Sequence, residues 1–204
     1  MQIREKVFLN RDGSGTFSLE LDMGDMFRML EGMGVDPDEM EEDPFQGIED
    51  NFLAQQAALN AIDGVDGARV EKDEDGHSIA VLFDFDNVDA LNAGANLVLG
   101  PGGDDSEAIE FYRYANNRFE RSSYFDHAQQ IKTEVENNDE LEGMDPSVFF
   151  NDMSYSTEFE FEAPIRKMSN EDATLSADNR TVTYEYFFFR KGYDEPSVEN
   201  VIKM

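Results

Sequence analysis

The chain contains no cysteine and no tryptophan among its 204 residues. Without cysteine, a Cys-ligated zinc site, an iron–sulfur cluster, a thiol nucleophile and a disulfide scaffold are all excluded. Long apolar runs are missing too, since none approaches the roughly 18 residues that a membrane span needs. No secretory signal peptide precedes the first predicted strand, so we expect either a native N-terminus or a mature segment behind a new Met1.

Basic residues are scarce, because 16 Lys and Arg stand against 46 Asp and Glu, for a formal net charge of −30. A nucleic-acid binder of the usual kind and an electrostatic partner of anionic lipids are excluded, since both need clustered Lys and Arg. The surplus of carboxylates has two interpretations. It is either a hydrated surface that keeps a folded protein soluble or a source of cation ligands.

Hydrophobic residues make up 40% of the chain and aromatic residues 12%. Disordered chains are poor in aromatics, so this composition indicates a folded protein with a true core. We expect a single domain over residues 1–204.

Alternating apolar and polar residues predict four hairpins. The first joins a strand at Gln2–Asn10 to one at Phe17–Met23 through the glycine-bearing turn Arg11–Gly15. The remaining three are predicted over 68–86, 108–122 and 173–190.

Helical patterns lie between these hairpins, around residues 26–33, 44–62, 87–99 and 126–136. Asp86 or Asn87 is expected to cap the third helix. Hairpins separated by helices favour an α+β fold. We expect a meandering antiparallel sheet built from hairpins, with several helices packed on one face.

Asp84, Asp86 and Asp89 form the candidate metal site. They lie at a predicted strand-to-helix junction, and hard cations such as Ca²⁺ prefer carboxylate and carbonyl oxygens. The alternative interpretation is a helix cap followed by acidic residues that complement the helix dipole. The acidic stretch Asp36–Asp43 is a second, looser candidate for Ca²⁺.

Only His77 and His127 are available as an imidazole base, and neither lies in a catalytic motif. A carboxylate pair for glycoside hydrolysis is an open alternative, but 46 acidic residues always contain some pair at a suitable distance. We therefore assign no catalytic residue and no cofactor.

Two segments resemble a known family. Leu9–Met23, with its Asp12-Gly13-Ser14-Gly15 turn, resembles the start of mature envelope lipoproteins, especially those of Bacteroidetes. Leu175–Tyr184 resembles the closing hairpin of the same lipoproteins and of LppM-like domains. The resemblance implies an α+β domain tethered to an envelope membrane through an upstream lipid-modified cysteine, which this chain does not contain.

The leading hypothesis is a non-catalytic, envelope-anchored domain that binds or scaffolds a protein or small ligand. Its expected location is the periplasmic side of the envelope or the cell surface, or the cytoplasm if Met1 is native. We expect no nucleic-acid partner, and membrane contact only through the lipid anchor. The alternatives are a Ca²⁺-binding module that uses the acidic clusters and a carboxylate-pair hydrolase.

Overall fold

The fold is known from a computed structural model, which describes residues 1–32, 34, 46–73, 77–100, 108–122, 151–190 and 197–204. In these residues the chain forms strands in two sheets, one of seven strands and one of four, together with three helices. This arrangement confirms the predicted α+β class.

Two hairpins form one half of the large sheet. Strand β1 (Gln2–Leu9) pairs with β2 (Gly15–Asp22), and β3 (Val65–Asp73) pairs with β4 (Ser78–Phe85). Strands β2 and β4 are antiparallel neighbours, which joins the two hairpins. Edge strand β3 carries a register shift between Asp66 and Arg69, where Gly67 has a φ of +61°. Such a bulge discourages pairing with another chain at this edge.

Three later strands form the other half of the large sheet: β7 (Ser154–Phe161), β9 (Thr174–Leu175) and β10 (Thr181–Phe187). The strand order is β3-β4-β2-β1-β7-β10-β9. Strands β1 and β7 are parallel, and the other neighbours in this sheet are antiparallel. The N-terminal strand therefore lies at the centre of the sheet.

The large sheet has a mostly apolar inner face and a mostly polar outer face. Val7, Phe17, Phe83 and Phe159 share one cross-strand row on the inner face, and all four are buried. On the outer face, Arg4 makes ion pairs with the carboxylates of Glu20 and Asp22 at 3.1 and 2.8 Å. This alternation is typical of a sheet with one solvated face.

Three helices accompany the large sheet: α1 (Gly24–Gly32), α2 (Gln46–Leu59) and α3 (Val88–Leu99). Helix α2 contacts β3 and β4, and α3 packs against β4. The side chain of Asn87 caps α3 by accepting a hydrogen bond from the backbone N–H of Ala90 at 3.0 Å, which confirms one of the two predicted caps. None of the helices within the described ranges is long and apolar enough to cross a membrane.

The small sheet contains β5 (Tyr112–Ala115), β6 (Arg118–Arg121), β8 (Lys167–Met168) and β11 (Asn200–Lys203), in the order β5-β6-β11-β8. Its inner face packs on the large sheet near β7. There the Phe119 ring lies 5.4 Å, centre to centre, from the rings of both Phe159 and Phe161. The small sheet therefore covers part of the inner face of the large one.

Two asparagines of α3 hold the chain at β5 in place. The side-chain amide of Asn92 donates to the carbonyl of Tyr112 at 2.8 Å and accepts from its N–H at 2.9 Å. Asn96, one turn later, makes the same pair of bonds with Ile109, at 2.7 and 2.8 Å. An amide side chain offers the same donor and acceptor as a peptide group. The two asparagines thus make the backbone hydrogen bonds that a neighbouring strand would otherwise make with this segment.

The structure differs from the predicted meander in two respects. The hairpin at 112–121 leaves the large sheet and joins the C-terminal strand β11 in a second sheet, and β1 pairs in parallel with β7. Alternation along the chain identifies strands and tight turns, but it contains no information on which hairpins become neighbours. The predicted helix at 126–136 lies outside the described residues.

Gly94 sets how closely α3 approaches the sheet. A Cβ atom there would lie 2.5 Å from Cζ of Phe83, in a ring that is itself fully buried. Although alanine favours a helix over glycine by roughly 0.8–1.0 kcal/mol, we expect Gly94→Ala to lower the free energy of unfolding by about 1–3 kcal/mol, through overpacking. Urea unfolding measures this change.

Gly47 is the matched control, because a Cβ atom at this position of α2 would meet nothing within 4 Å. Gly47→Ala should leave stability unchanged or raise it slightly. Equal effects of the two substitutions would contradict the close packing of α3 on Phe83.

Candidate functional site: the outer face of the small sheet

A buried ion pair joins the two sheets. Glu5 of β1 is 0% exposed and Arg121 of β6 is 2% exposed. Arg121 donates from Nε to Oε1 of Glu5 at 2.8 Å and from Nη2 to Oε2 at 2.7 Å. This two-point geometry fixes the orientation of both planar groups as well as their distance.

Two tyrosines complete the hydrogen bonding of the Glu5 carboxylate. The hydroxyl of Tyr112 donates to Oε1 at 2.8 Å, and that of Tyr155 donates to Oε2. Burial by itself raises the pKa of Glu5, but the charge of Arg121 and the hydrogen bonds from Arg121, Tyr155 and Tyr112 outweigh it, so the pKa is lowered. Glu5 is therefore a carboxylate in the folded protein at neutral pH.

Arg121 is enclosed on its other sides as well. Its Cζ lies 5.1 Å from the centres of the Phe111 and Tyr112 rings, and its Nη1 donates to the carbonyl of Ser122 at 3.0 Å. Aromatic faces attract a guanidinium without competing for its hydrogen bonds. The cluster of Glu5, Arg121, Tyr112 and Tyr155 is thus a structural anchor between the sheets.

The anchor determines which residues of the small sheet face solvent. Because Phe119 and Arg121 of β6 point inward, the alternating residues Arg118 and Glu120 point outward. The same alternation places Lys203 of β11 on the outer face, beside the buried Ile202.

Strand register then aligns three cations across the outer face. Lys203 is the register partner of Arg118 on one side and of Lys167 on the other. Adjacent strands lie about 4.8 Å apart, so the row Lys167–Lys203–Arg118 spans roughly 10 Å. Like charges that face each other directly across neighbouring strands destabilise a sheet.

This row forms part of an open cleft of about 550 Å³. Its described lining contains five cationic side chains, which we call the cationic face: Arg113, Arg118, Arg166, Lys167 and Lys203. One acidic side chain, Glu120, also lines it, together with Ala115, Asn116, Asn117 and Met204. Five of the sixteen Lys and Arg residues of the chain thus meet in one cleft.

Three members of the cationic face make no ion pair with the part of the chain that the structure describes: Arg166, Lys167 and Lys203. The other two are paired. Arg113 donates from Nε to Glu110 at 2.7 Å, and Arg118 lies 2.8 Å from a carboxylate oxygen of Glu120. The cleft therefore offers positive charge to solvent in a strongly acidic chain.

The rim of the cleft is a tight turn between β5 and β6. Asn116 and Asn117 have φ angles of 54° and 57°, the left-handed values that a two-residue hairpin turn requires. Asparagine tolerates this conformation better than most residues. The backbone N–H of Met204 donates to the carbonyl of Asn117 at 2.9 Å and fixes Met204 beside this turn.

The predicted metal ligands Asp84, Asp86 and Asp89 are all exposed. Asp84 lies on the outer face of the large sheet, where it lines a cleft of about 220 Å³ with Lys6 and Arg69, while Asp89 lies in the first turn of α3. In the described part of the chain, no three acidic or histidine side chains are placed to hold a metal ion. The geometry adds no support to this site, which stays a prediction. Asp36–Asp43 lies outside the described residues.

His77 stacks on the ring of Phe27, with centres 4.3 Å apart, and is half-buried. His127 lies outside the described residues. Reasoning from sequence missed the cationic face, because its residues come from β5, β6, β11 and the segment 166–167 at the start of β8, which are separated by up to 90 positions of chain. The adjacent pair Arg166-Lys167 is the local signal that could have indicated it.

Comparison with known proteins identifies no family. No family model matches the chain, and no curated protein matches it. Among solved structures, the NMR structure of the folded domain of the Mycobacterium tuberculosis LppM (Rv2171) protein has 12% sequence identity and a TM-score of 0.44, over 99% of this chain and 88% of that one. A likeness this distant says nothing about the ligand or anchoring of this chain.

The buried anchor gives a stability prediction. Glu5→Gln leaves Arg121 buried without its carboxylate, so we expect the free energy of unfolding to fall by about 3–5 kcal/mol. Replacing both partners, in the double variant Glu5→Leu with Arg121→Met, should lower the free energy of unfolding by less than the sum of the single variants Glu5→Leu and Arg121→Met. No unpaired charge remains in the double variant. A double-mutant cycle in urea measures this coupling.

The exposed pair Arg69 and Glu71 on edge strand β3 is the control. Substituting either with glutamine should change stability by less than about 1 kcal/mol. A mild effect of Glu5→Gln, or additive effects at Glu5 and Arg121, would contradict the role of the anchor.

The tyrosines give a pH prediction. Burial, followed by the charge of Glu5, raises the pKa of Tyr112 and Tyr155, and burial raises the pKa of Tyr186. The unfolded chain therefore releases these protons first, near pH 10. The stability they contribute is fully present below about pH 10 and is lost as the pH rises further.

Tyrosinate absorbance distinguishes the two states. In urea all seven tyrosines should titrate near the ordinary value, about pH 10. In the native protein, Tyr112, Tyr155 and Tyr186 should resist titration until the fold is lost. Titration of all seven together without unfolding would refute the buried cluster.

Proposed function

We propose that the chain is a non-catalytic binding domain that takes an anionic ligand on the outer face of its small sheet. The observation that carries this proposal is the cross-strand row of Lys167, Lys203 and Arg118. Fold stability alone does not favour such a row, since like charges repel across neighbouring strands. A bound anion would offset that repulsion.

The distribution of charge supports the same proposal. The chain has few cations, and several of them form ion pairs with carboxylates. Examples are Arg4 and Lys72 in the large sheet and Arg28 in α1. Lys167, Lys203 and Arg166 differ, because no such carboxylate lies within 4.0 Å of them in the described residues. Their charge is thus available to a ligand from solution.

The remaining parts of the proposal rest on the sequence. The non-catalytic role follows from the lack of a catalytic motif, and the envelope location from the resemblance of Leu9–Met23 and Leu175–Tyr184 to lipoproteins. The lipid anchor, the calcium-binding module and the carboxylate-pair hydrolase stay predictions. Only the anionic ligand is supported by the geometry described above.

Thermal unfolding with a panel of anions tests the binding proposal. Sulfate, citrate, phosphate and triphosphate are each added at the same ionic strength, with sodium chloride as the reference. A ligand that binds the native state raises Tm by linkage. We expect a rise with at least one anion, and its loss in the variant Arg166→Gln, Lys167→Gln, Lys203→Gln.

The matched control removes three cations elsewhere: Arg28→Gln, Arg69→Gln and Lys72→Gln. Both variants change the formal net charge by the same amount, so long-range repulsion of anions is equal in the two. The control should keep the rise in Tm. A panel without any rise, or an equal loss in both variants, would overturn the proposal.

A further inference from the structure

We infer, on the basis of the proposed function, that the ligand carries two or more linked phosphoryl groups and is recognised through these groups. The inference depends on the spacing of the cationic face, on the chemistry of its side chains and on the residue types that its cleft does not contain.

The spacing of the row requires an extended ligand with several charges. Lys167, Lys203 and Arg118 follow one another across three strands, at intervals of about 4.8 Å. An anion with a single charged centre reaches one or two of them. A peptide in extended conformation places side chains of one face about 6.6 Å apart, which does not match this interval. A short chain of phosphoryl groups carries charge continuously along its length.

The side chains of the cleft suit phosphoryl oxygens. Lysine ammonium groups bind phosphate as compact point charges, and guanidinium groups offer a planar fork of donors. Lys167 and Lys203 lie side by side in the row, and Arg166 lies beside them in the same cleft. The amide side chains of Asn116 and Asn117 add neutral donors at the rim.

The described lining of the cleft contains no aromatic side chain. Proteins that bind nucleobases stack them on aromatic rings, which supply about 1–3 kcal/mol per base. A base attached to the phosphoryl groups would gain no such contact here. The protein therefore recognises the phosphoryl chain and not an attached base.

The net charge of −30 strengthens the requirement for several contacts. A surface of this charge repels all anions at distances up to the Debye length, about 8 Å at physiological ionic strength. An anion that gains only one contact does not overcome this repulsion. For an anion that contacts several members of the cationic face at once, the attraction exceeds this repulsion.

Isothermal titration calorimetry with inorganic phosphate, pyrophosphate and triphosphate tests the inference, at constant ionic strength and without divalent metal. We expect affinity to rise along this series, with triphosphate at least about tenfold tighter than phosphate, since each added charged contact contributes. ATP should match triphosphate within about threefold, because the base adds no stacking contact.

Two variants locate the site. Lys203→Gln removes the middle of the row and should weaken triphosphate binding by about tenfold or more. Lys72→Gln, on the large sheet, is the control and should leave it unchanged. If circular dichroism shows that Lys203→Gln does not fold, NMR chemical shifts of the unaltered protein locate the site instead. Triphosphate must then change the chemical shifts of residues 113–120, 166–168 and 201–204.

Citrate and vesicles identify the chemical class and the source of the ligand. Citrate carries three carboxylates, and binding as tight as that of triphosphate would overturn the phosphoryl inference while leaving the proposed anion site intact. Failure of every anion would overturn both. Neutral phosphatidylcholine vesicles with and without a polyprenyl diphosphate distinguish a lipid headgroup from a soluble ligand. If the ligand is the lipid headgroup, the protein binds only to the vesicles that contain the diphosphate.

Discussion

The ion pair between Glu5 and Arg121 is the constraint on which the arrangement of the two sheets depends. Glu5 lies on the buried inner face of the central strand β1, so its carboxylate must be paired when the small sheet covers it. Arg121 meets it at both oxygens, and Tyr112 and Tyr155 occupy its remaining acceptor positions. Sliding the small sheet by one residue would leave both charges buried and unpaired, which makes a single packing arrangement far more favourable than its neighbours.

The same constraint organises the opposite side of the small sheet. Side chains alternate along a strand, so an inward Arg121 requires an outward Arg118, and strand register then brings Lys203 and Lys167 beside it. One interaction in the core thereby aligns the charges of a solvent-facing cleft. The chain has few cations, yet five of them line one cleft.

Local patterns predicted much of the fold. The hairpins of β1 with β2 and of β3 with β4, the helix α3 with its Asn87 cap, and the pairing of β9 with β10 all arise from contacts between residues close in sequence. Strands β8 and β11 were missed, because β11 pairs with β6 and β8, which lie more than 30 residues away, so no local turn identifies them. The parallel pairing of β1 with β7 was missed because it joins segments about 150 residues apart.

Composition and local patterns thus establish the class of the protein: an α+β fold formed by a carboxylate-rich chain with no thiol chemistry. Periodicity and turn chemistry act over a few residues, and these suffice for that conclusion. Contacts in the folded protein set the rest: the hairpins divide into two sheets, Glu5 pairs with Arg121, and Lys167, Lys203 and Arg118 form a row. Each of these depends on contacts between distant segments, which are selected by burial and charge pairing across the whole chain rather than by any local pattern.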